Sequence, residues 1–423
     1  MNKTQYPLLQ ETVWRTQLSN GLTVAVVPRP GFSRKSAYFV THYGSIHTNF
    51  TLNGQKISTP AGVAHYLEHK MFDLPGRDVS EEFAALGANP NAFTSYDMTA
   101  YYFTCTDHFD QCLDLLLEFV STPYFTEESV QKEQGLIAQE ILMYADSPDS
   151  QVFEDLAAGM YRHHPIRTPI AGSVESIRSI TPEILYDCHR AFYHPGNMIL
   201  CVVGDVDPEA VAAAAERILP KVSAETAVPD LGSEEEMTCP IPIQRRNMDV
   251  AMTTFQLGFK CPAKQTGEDF AHWELVAELA AEALFGESSA LYLSMYEDGL
   301  IDSSFGGGVE TVDGVAMITC GGDSDDPEEI LRRIIAEAER LSREGIPQED
   351  FDRLKKSFLG RRIQDLDSFE STCFRLCAYH FEGYDYFRFP ETFASLRREE
   401  LSQFLGEHIH EGNSALAIID PLT

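Results

Sequence analysis

The stretch AGVAHYLEHKMF, residues 61–72, decides the fold class because the hydrophobic pattern changes there from the period of a strand to that of a helix. Before it, alternating apolar residues flank Asn20-Gly21, which predicts a tight β-hairpin, and another strand is predicted over residues 36–43. After it, predicted helices alternate with predicted strands over residues 92–104 and 198–203. Strands interleaved with helices predict an α+β fold, with mixed β-sheets flanked by helices.

The chain is long enough for two domains, because 423 residues exceed what one hydrophobic core usually organises. Prolines, small polar residues and an acidic cluster in the stretch 219–242 are typical of a linker. The order of predicted elements before this stretch recurs coarsely after it. We therefore predict two tandem homologous domains, an N-terminal domain at residues 1–220 and a C-terminal domain at 243–423, joined by a linker at 221–242.

The charge of the chain disfavours two classes of partner. With 65 acidic and 32 basic residues, the formal net charge of −33 would repel nucleic acid and anionic membrane surfaces. The sequence has neither an apolar run of membrane-spanning length nor a secretory signal pattern, and its nine scattered cysteines suit reduced thiols. We therefore expect a cytoplasmic protein with no nucleic-acid or membrane partner.

The predicted helix over residues 62–72 carries a candidate metal-binding face. His65, Glu68 and His69 stand at positions i, i+3 and i+4, so their side chains project from one side of the helix. Two neutral imidazoles can bind Zn²⁺, and a neighbouring carboxylate can take a proton from water acidified by the metal. The alternative is a solvated helix face that carries two histidines without a metal.

A catalytic zinc site needs a third protein ligand, and a second predicted helix, residues 127–144, offers two candidates. Glu133 and Glu140 lie seven residues apart, which places them two turns apart on one face. From this spacing, either glutamate could reach a metal on a neighbouring helix. The alternative is that both are ordinary surface glutamates.

The motif H-x-x-E-H, followed about 70 residues later by E-x6-E, resembles the pattern of the pitrilysin/insulinase family of zinc peptidases, the inverzincins. Three further stretches resemble the same family: NAFTSYDMTAYYF (91–103), FYHPGNMILCVVGDV (192–206) and LFGESSALYLSMYEDGL (284–300). Within the family, the chain is most similar to half-length bacterial members associated with aminopentanol modification of elongation factor P.

The resemblance assigns roles to the residues of both motifs. It implies that His65, His69 and Glu140 are the zinc ligands, that Glu68 is the general base, and that Glu133 is a second acid that orients the site. One Zn²⁺ per chain would polarise the scissile carbonyl and lower the pKa of its bound water. Glu68 would take the proton of that water and pass it to the leaving amine. Nitrogen and oxygen ligands also accept manganese or cobalt, so the spacing alone leaves the metal open.

The resemblance also implies a substrate-binding strand near the metal, to which an extended peptide would add by main-chain hydrogen bonds. Its residues are Asn91, Ala92, Phe93 and Thr94. A plain core strand is the alternative. The implied activity is that of a zinc endopeptidase that hydrolyses short unstructured peptides inside a closed chamber.

One departure from the family pattern supports a second function. Many active members carry an Arg and a Tyr in a stretch that matches residues 295–302 here, where Tyr296 replaces the Arg and the Tyr is absent. The chain could therefore be a peptide-binding or assembly subunit that cleaves little or only with a partner. Half-length members usually form homodimers or pair with a metal-less paralogue, and both forms stay open. A core subunit of an electron-transfer complex is disfavoured, since such a scaffold needs no complete zinc set.

Overall fold

The computed structural model describes residues 1–221, 227–262 and 266–422, so residues 222–226 of the predicted linker lie outside the described part of the chain. The chain forms two compact units. The first unit consists of Met1–Ile141, Pro169–Leu231 and Ile363–Arg388. The second unit consists of Leu142–Thr168, Gly232–Arg362 and Phe389–Thr423.

The described residues form seventeen strands and fifteen α-helices. The strands are β1 (Asn2–Tyr6), β2 (Glu11–Gln17), β3 (Thr23–Pro28), β4 (Lys35–Thr41), β5 (Asn49–Leu52), β6 (Gln55–Ser58), β7 (Asp73–Leu74), β8 (Arg77–Asp78), β9 (Asn89–Thr94), β10 (Thr99–Cys105), β11 (Met198–Gly204), β12 (Val228–Pro229), β13 (Ile243–Met248), β14 (Thr254–Cys261), β15 (Gly306–Val312), β16 (Val315–Asp323) and β17 (Ser414–Pro421). The helices are α1 (Val63–Lys70), α2 (Val79–Ala85), α3 (Phe109–Ser121), α4 (Glu127–Ala145), α5 (Pro148–Met160), α6 (Val174–Ile177), α7 (Pro182–Phe192), α8 (Pro208–Ile218), α9 (Gly267–Phe285), α10 (Ala290–Glu297), α11 (Pro327–Glu344), α12 (Gln348–Asp365), α13 (Phe369–Phe381), α14 (Phe389–Ser395) and α15 (Arg398–His408). Among these described helices, none has both the length and the apolar character needed to cross a membrane.

A seven-stranded mixed sheet, in the order β1-β2-β3-β11-β4-β10-β9, forms the framework of the first unit. Strands β3 and β11 are parallel, and the other neighbouring pairs are antiparallel. Helices α3 and α13 both pack against β4, and residues 36–41 of that strand are all buried. The centre of the sheet is therefore covered by helices, while β9 forms one edge.

The prediction of one continuous strand over residues 92–104 is wrong. The segment forms two antiparallel strands, β9 and β10, joined by a turn at residues 95–98. The backbone N–H of Ser95 donates to the carbonyl oxygen of Met98 (2.8 Å), and the Ser95 hydroxyl oxygen accepts the N–H of Met98 (3.1 Å). A serine side chain that forms a hydrogen bond with the nearby backbone favours a turn. Because the chain reverses direction at this turn, β9 becomes the edge strand of the sheet.

A five-stranded sheet, in the order β13-β17-β14-β16-β15, forms the framework of the second unit. Strands β13 and β17 are parallel, and the remaining pairs are antiparallel. The same sequence of parallel and antiparallel pairs occurs in β3-β11-β4-β10-β9 of the first unit. The predicted α+β fold with two homologous halves is thus confirmed.

The compact units do not coincide with the predicted ranges 1–220 and 243–423. Helix α5 belongs to the second unit because it packs against β14 and β17. Helix α13 belongs to the first unit because it packs against β4 and β11. The apolar pattern of a helix indicates that one face is buried, but it does not indicate which sheet covers that face.

All nine cysteines are buried and present as free thiols, in agreement with the expectation of reduced cysteines.

Candidate metal centre

Two glycines fix the position at which helix α1 begins. Gly62 and Gly172 both have positive φ, +89° and +72°. A Cβ atom on Gly62 would lie 2.4 Å from the carbonyl oxygen of Ala171, and one on Gly172 would lie 2.5 Å from that of Ala61. Only residues without a Cβ allow this close backbone approach in this conformation, so the pair determines where the metal-binding helix starts.

Helix α1 is buried on almost all sides, which explains its mixture of apolar and polar residues. Val63, Tyr66 and Leu67 lie in the hydrophobic core of the first unit. The Tyr66 hydroxyl donates a hydrogen bond to the carbonyl oxygen of Val130 in helix α4. This bond joins the two helices that carry the sequence motifs.

The three predicted metal ligands lie together in the first unit. His65 Nε2 is 3.5 Å from Glu140 Oε1, and His69 Nε2 is 3.5 Å from Glu140 Oε2. One candidate ligand atom from each residue lies within 4.8 Å of the other two. Ligand atoms bound tetrahedrally to zinc at about 2.0–2.2 Å are roughly 3.3–3.6 Å apart. Two imidazoles and one carboxylate at this spacing therefore fit a zinc ion and leave a fourth position open.

Glu133 contacts His69 from the side opposite to Glu140. Its Oε1 atom lies 3.0 Å from His69 Nδ1, so an Nδ1–H donates to the carboxylate and the Nε2 lone pair remains for a metal. This bond lowers the pKa of Glu133. Burial lowers the pKa of His69, but the bond to Glu133 and the neighbouring carboxylates outweigh burial and raise it overall.

Glu68 is buried beside the two histidines, with only 9% of its surface exposed. Its Oε2 atom accepts a hydrogen bond of 2.6 Å from the Thr94 hydroxyl. Burial raises the pKa of Glu68, against the opposing effects of Thr94, His65 and His69. A carboxylate with a raised pKa is a stronger base near neutral pH.

The four predicted substrate-binding residues all lie in the edge strand β9. Asn91 Oδ1 accepts the backbone N–H of Ala92 (2.9 Å). The ring of Phe93 lies 5.9 Å from Phe374, whereas Thr94 contacts Glu68, as expected for side chains that alternate between the faces of a strand. Of the four, the structure thus brings the Thr94 side chain to the metal centre.

Sequence reasoning missed the role of the Thr94 hydroxyl, because it assigned this residue to main-chain contacts with a peptide. It also missed the bond between Tyr66 and Val130 that joins the two motif helices. The spacing of residues 65–69 on a helix could indicate which side chains share a face, but contacts with a distant strand carry no local sequence signal.

Two family models match the chain in succession: "Insulinase (Peptidase family M16)" over residues 53–174 and "Peptidase M16 inactive domain" over residues 179–358. The chain is 37% identical over 415 residues to a protein of Bacillus subtilis (strain 168) named "Uncharacterized zinc protease YmfH", with 96% of each chain covered. The structure also superposes on that of an M16-like peptidase from Alicyclobacillus acidocaldarius with a TM-score of 0.93 and 32% identity, covering 97% of this chain and 99% of the other.

A longer protein shows the same fold at lower identity. The periplasmic protease PqqL of Escherichia coli matches all of this chain with a TM-score of 0.72 and 20% identity, but the match covers only 48% of PqqL. The chain described here thus spans about half of that protein. The two successive family matches, and the similarity to YmfH over 96% of each chain, show that the chain belongs to the insulinase (M16) family of peptidases.

Proposed function

We propose that this protein is a zinc-dependent endopeptidase that hydrolyses short unstructured peptides with Glu68 as the general base. The observation that carries the proposal is the placement of His65, His69 and Glu140, whose ligand atoms lie close enough to hold one zinc ion beside the Glu68 carboxylate. The names of its relatives, which describe zinc proteases, support the same activity.

Zinc held by these residues would supply Lewis acidity toward water and toward a peptide carbonyl. The remaining chemistry belongs to the side chains of the protein. Glu68 takes a proton from the attacking water and returns it to the leaving amine, a task that suits a buried carboxylate with a raised pKa. Glu133 holds the His69 ring so that Nε2 faces the metal position.

The substrate would bind as an additional strand along β9. In the described part of the chain this strand pairs only with β10, so its outer edge has unpaired backbone groups. A peptide that adds to a sheet edge must be extended, which favours unstructured substrates over folded proteins.

A second candidate function is that of a peptide-binding or assembly subunit that cleaves little without a partner. The observation that favours it is the residue at position 296, where Tyr296 stands instead of the arginine expected from the family pattern. Tyr296 is exposed in helix α10. A partner subunit would then supply the missing substrate contacts.

We also propose that the protein acts in the cytoplasm as a homodimer or as a heterodimer with a metal-less paralogue. Support for a dimer comes from the match to PqqL, of which this chain covers 48%, so that two chains of this fold would correspond to one PqqL chain. Light scattering of the purified protein, alone and with a paralogue from the same cell, distinguishes the two forms.

The test of the proposed activity is cleavage of a mixed set of unstructured peptides, followed by mass spectrometry. The wild type is compared with Glu68→Gln after both are shown to hold equal zinc. Glu81→Gln, which alters an exposed glutamate of helix α2, is the matched control. Cleavage by the wild type and the control, but not by Glu68→Gln, is expected. Absence of cleavage by a wild type with full zinc occupancy would favour the binding or partner-dependent function.

A further inference from the structure

We infer that Thr94 is a positioning residue whose hydroxyl group orients the Glu68 carboxylate. Strand β9, along which the peptide would bind, would then also hold the general base in its orientation. This inference rests on the proposed function. Its starting point is the hydrogen bond of 2.6 Å from Thr94 Oγ1 to Glu68 Oε2. Within the described residues, Thr94 is the one side chain that hydrogen-bonds this carboxylate, so the bond leaves Oε1 available to accept a proton from water.

Thr94 is itself held in a fixed position. It is the last residue of β9, opposite Thr99 of β10, and the turn at Ser95 follows directly. Its branched Cβ restricts rotation about χ1. The hydroxyl of Thr99 donates to the carbonyl oxygen of Tyr43 (2.8 Å) and lies 3.4 Å from Thr94 Oγ1, farther than the Glu68 carboxylate at 2.6 Å. The Thr94 hydroxyl proton is therefore directed to the carboxylate.

The backbone of Thr94 faces the open edge of the sheet. Ser95 donates its N–H to Met98, so the next pair along the ladder, Thr94 and Thr99, is a pair without mutual backbone hydrogen bonds. In such a pair the N–H and C=O groups of the edge residue point away from the neighbouring strand. A peptide that adds to β9 would bond to the main chain of the same residue whose side chain holds Glu68.

This arrangement separates two contributions of one residue. The hydroxyl group orients the Glu68 carboxylate, whereas the backbone N–H and C=O groups would bind the peptide. Removal of the hydroxyl should therefore lower kcat and leave KM almost unchanged. If the Thr94 side chain served only to shape the strand, its replacement would change both kcat and KM, or neither.

The test compares Thr94→Val, which keeps the shape but removes the hydroxyl, with Thr94→Ser, which keeps the hydroxyl. Thr104→Val, a matched change about 17 Å along β10 from Thr99, is the control. With equal zinc content, Thr94→Val should reduce kcat about 10- to 100-fold, as expected for loss of a hydrogen bond to a charged group, and change KM less than about threefold. Thr94→Ser and Thr104→Val should retain kcat within about threefold.

A second readout does not depend on activity. Crystal structures of the metal-free proteins should show one position for the Glu68 carboxylate in the wild type and in Thr94→Ser, and a displaced or divided position in Thr94→Val. An unmoved carboxylate, or an unchanged kcat in Thr94→Val, would overturn the inference. If the wild type cleaves no peptide, the proposed function fails, and the crystal structures alone decide whether Thr94 positions Glu68.

Discussion

The Nδ1 atom of His69 lies 3.0 Å from the Oε1 atom of Glu133. Because Nδ1 is occupied in this way, Nε2 is the ring nitrogen that remains for a metal, and it lies 3.5 Å from the carboxylate of Glu140. The imidazole thus stands between two glutamates of one helix, with a different ring nitrogen facing each. A histidine oriented by a carboxylate in this manner is a stronger and better directed metal ligand.

Glu133→Gln should weaken zinc binding about 10- to 100-fold, because the amide oxygen can still accept from Nδ1 but lacks the negative charge. Competition titration against a coloured chelator measures this affinity. The control is Glu128→Gln, an exposed glutamate in the first turn of the same helix. Equal zinc affinities for Glu133→Gln and the wild type would contradict a role of Glu133 in orienting His69.

Removal of zinc should lower the stability of the protein, since the ion binds the folded state. With free zinc at 100 times the dissociation constant, the stabilisation is about 2.7 kcal/mol. Calorimetry in metal-buffered solutions should show a higher melting temperature with zinc than with chelator for the wild type, and a much smaller difference for Glu140→Gln. The same difference in both proteins would mean that the metal binds elsewhere.

Gly62→Ala should destabilise the protein by about 2–4 kcal/mol, because positive φ disfavours a side chain and the new Cβ would collide with the carbonyl of Ala171. Gly54→Ala is the matched control, since Gly54 also has positive φ (+76°) but no atom within 4 Å of the Cβ that alanine would add, and it should cost only about 1 kcal/mol. Urea unfolding measures both values. Equal losses of stability in Gly62→Ala and Gly54→Ala would show that the collision with the carbonyl of Ala171 adds nothing to the cost of the Gly62 substitution.

The buried His189 should make stability depend on pH. Burial lowers its pKa to about 4, while its Nε2 lies 3.1 Å from the carbonyl oxygen of Val120. The unfolded chain takes up this proton below about pH 6.5, whereas the folded chain resists it, so the contribution is present above pH 6.5 and is lost as the pH falls toward 4.

Between pH 7.5 and 5.5, the free energy of unfolding of the wild type should therefore fall by about 1 kcal/mol more than that of His189→Gln. Urea unfolding at the two pH values measures the difference. Carboxylates titrate in both proteins and cancel in this comparison. Identical pH dependence in the two proteins would show that His189 is not held neutral by the fold.

Local signals in the sequence mark where helices α7 and α11 begin, because a capping side chain and a proline stand at the start of each. The turn at residues 95–98 was missed because strand-like residues continue on both sides of it. Strand β17 was also missed, since a buried central strand lacks the alternation that identifies a half-exposed one.

The metal centre was predictable in part. The spacing of His65 and His69 placed both on one helix face, but the spacing of Glu133 and Glu140 could not show which of them faces the metal position and which contacts the far side of His69. That choice depends on how α4 lies against α1, where the Tyr66 hydroxyl bonds to Val130. Such a contact between residues 64 positions apart is a property of the folded chain and has no local pattern.

During synthesis on the ribosome, helix α13 is made long after the strands of the seven-stranded sheet that it covers. The last strand of that sheet, β11, ends at Gly204, but the helix that packs against β4 and β11 begins about 165 residues later, at Phe369. At about 5–20 residues per second, the delay is roughly 10 to 30 s. For that interval, one face of two strands that are almost entirely buried in the folded protein lacks its cover, so the nascent chain should be a client of ribosome-associated chaperones.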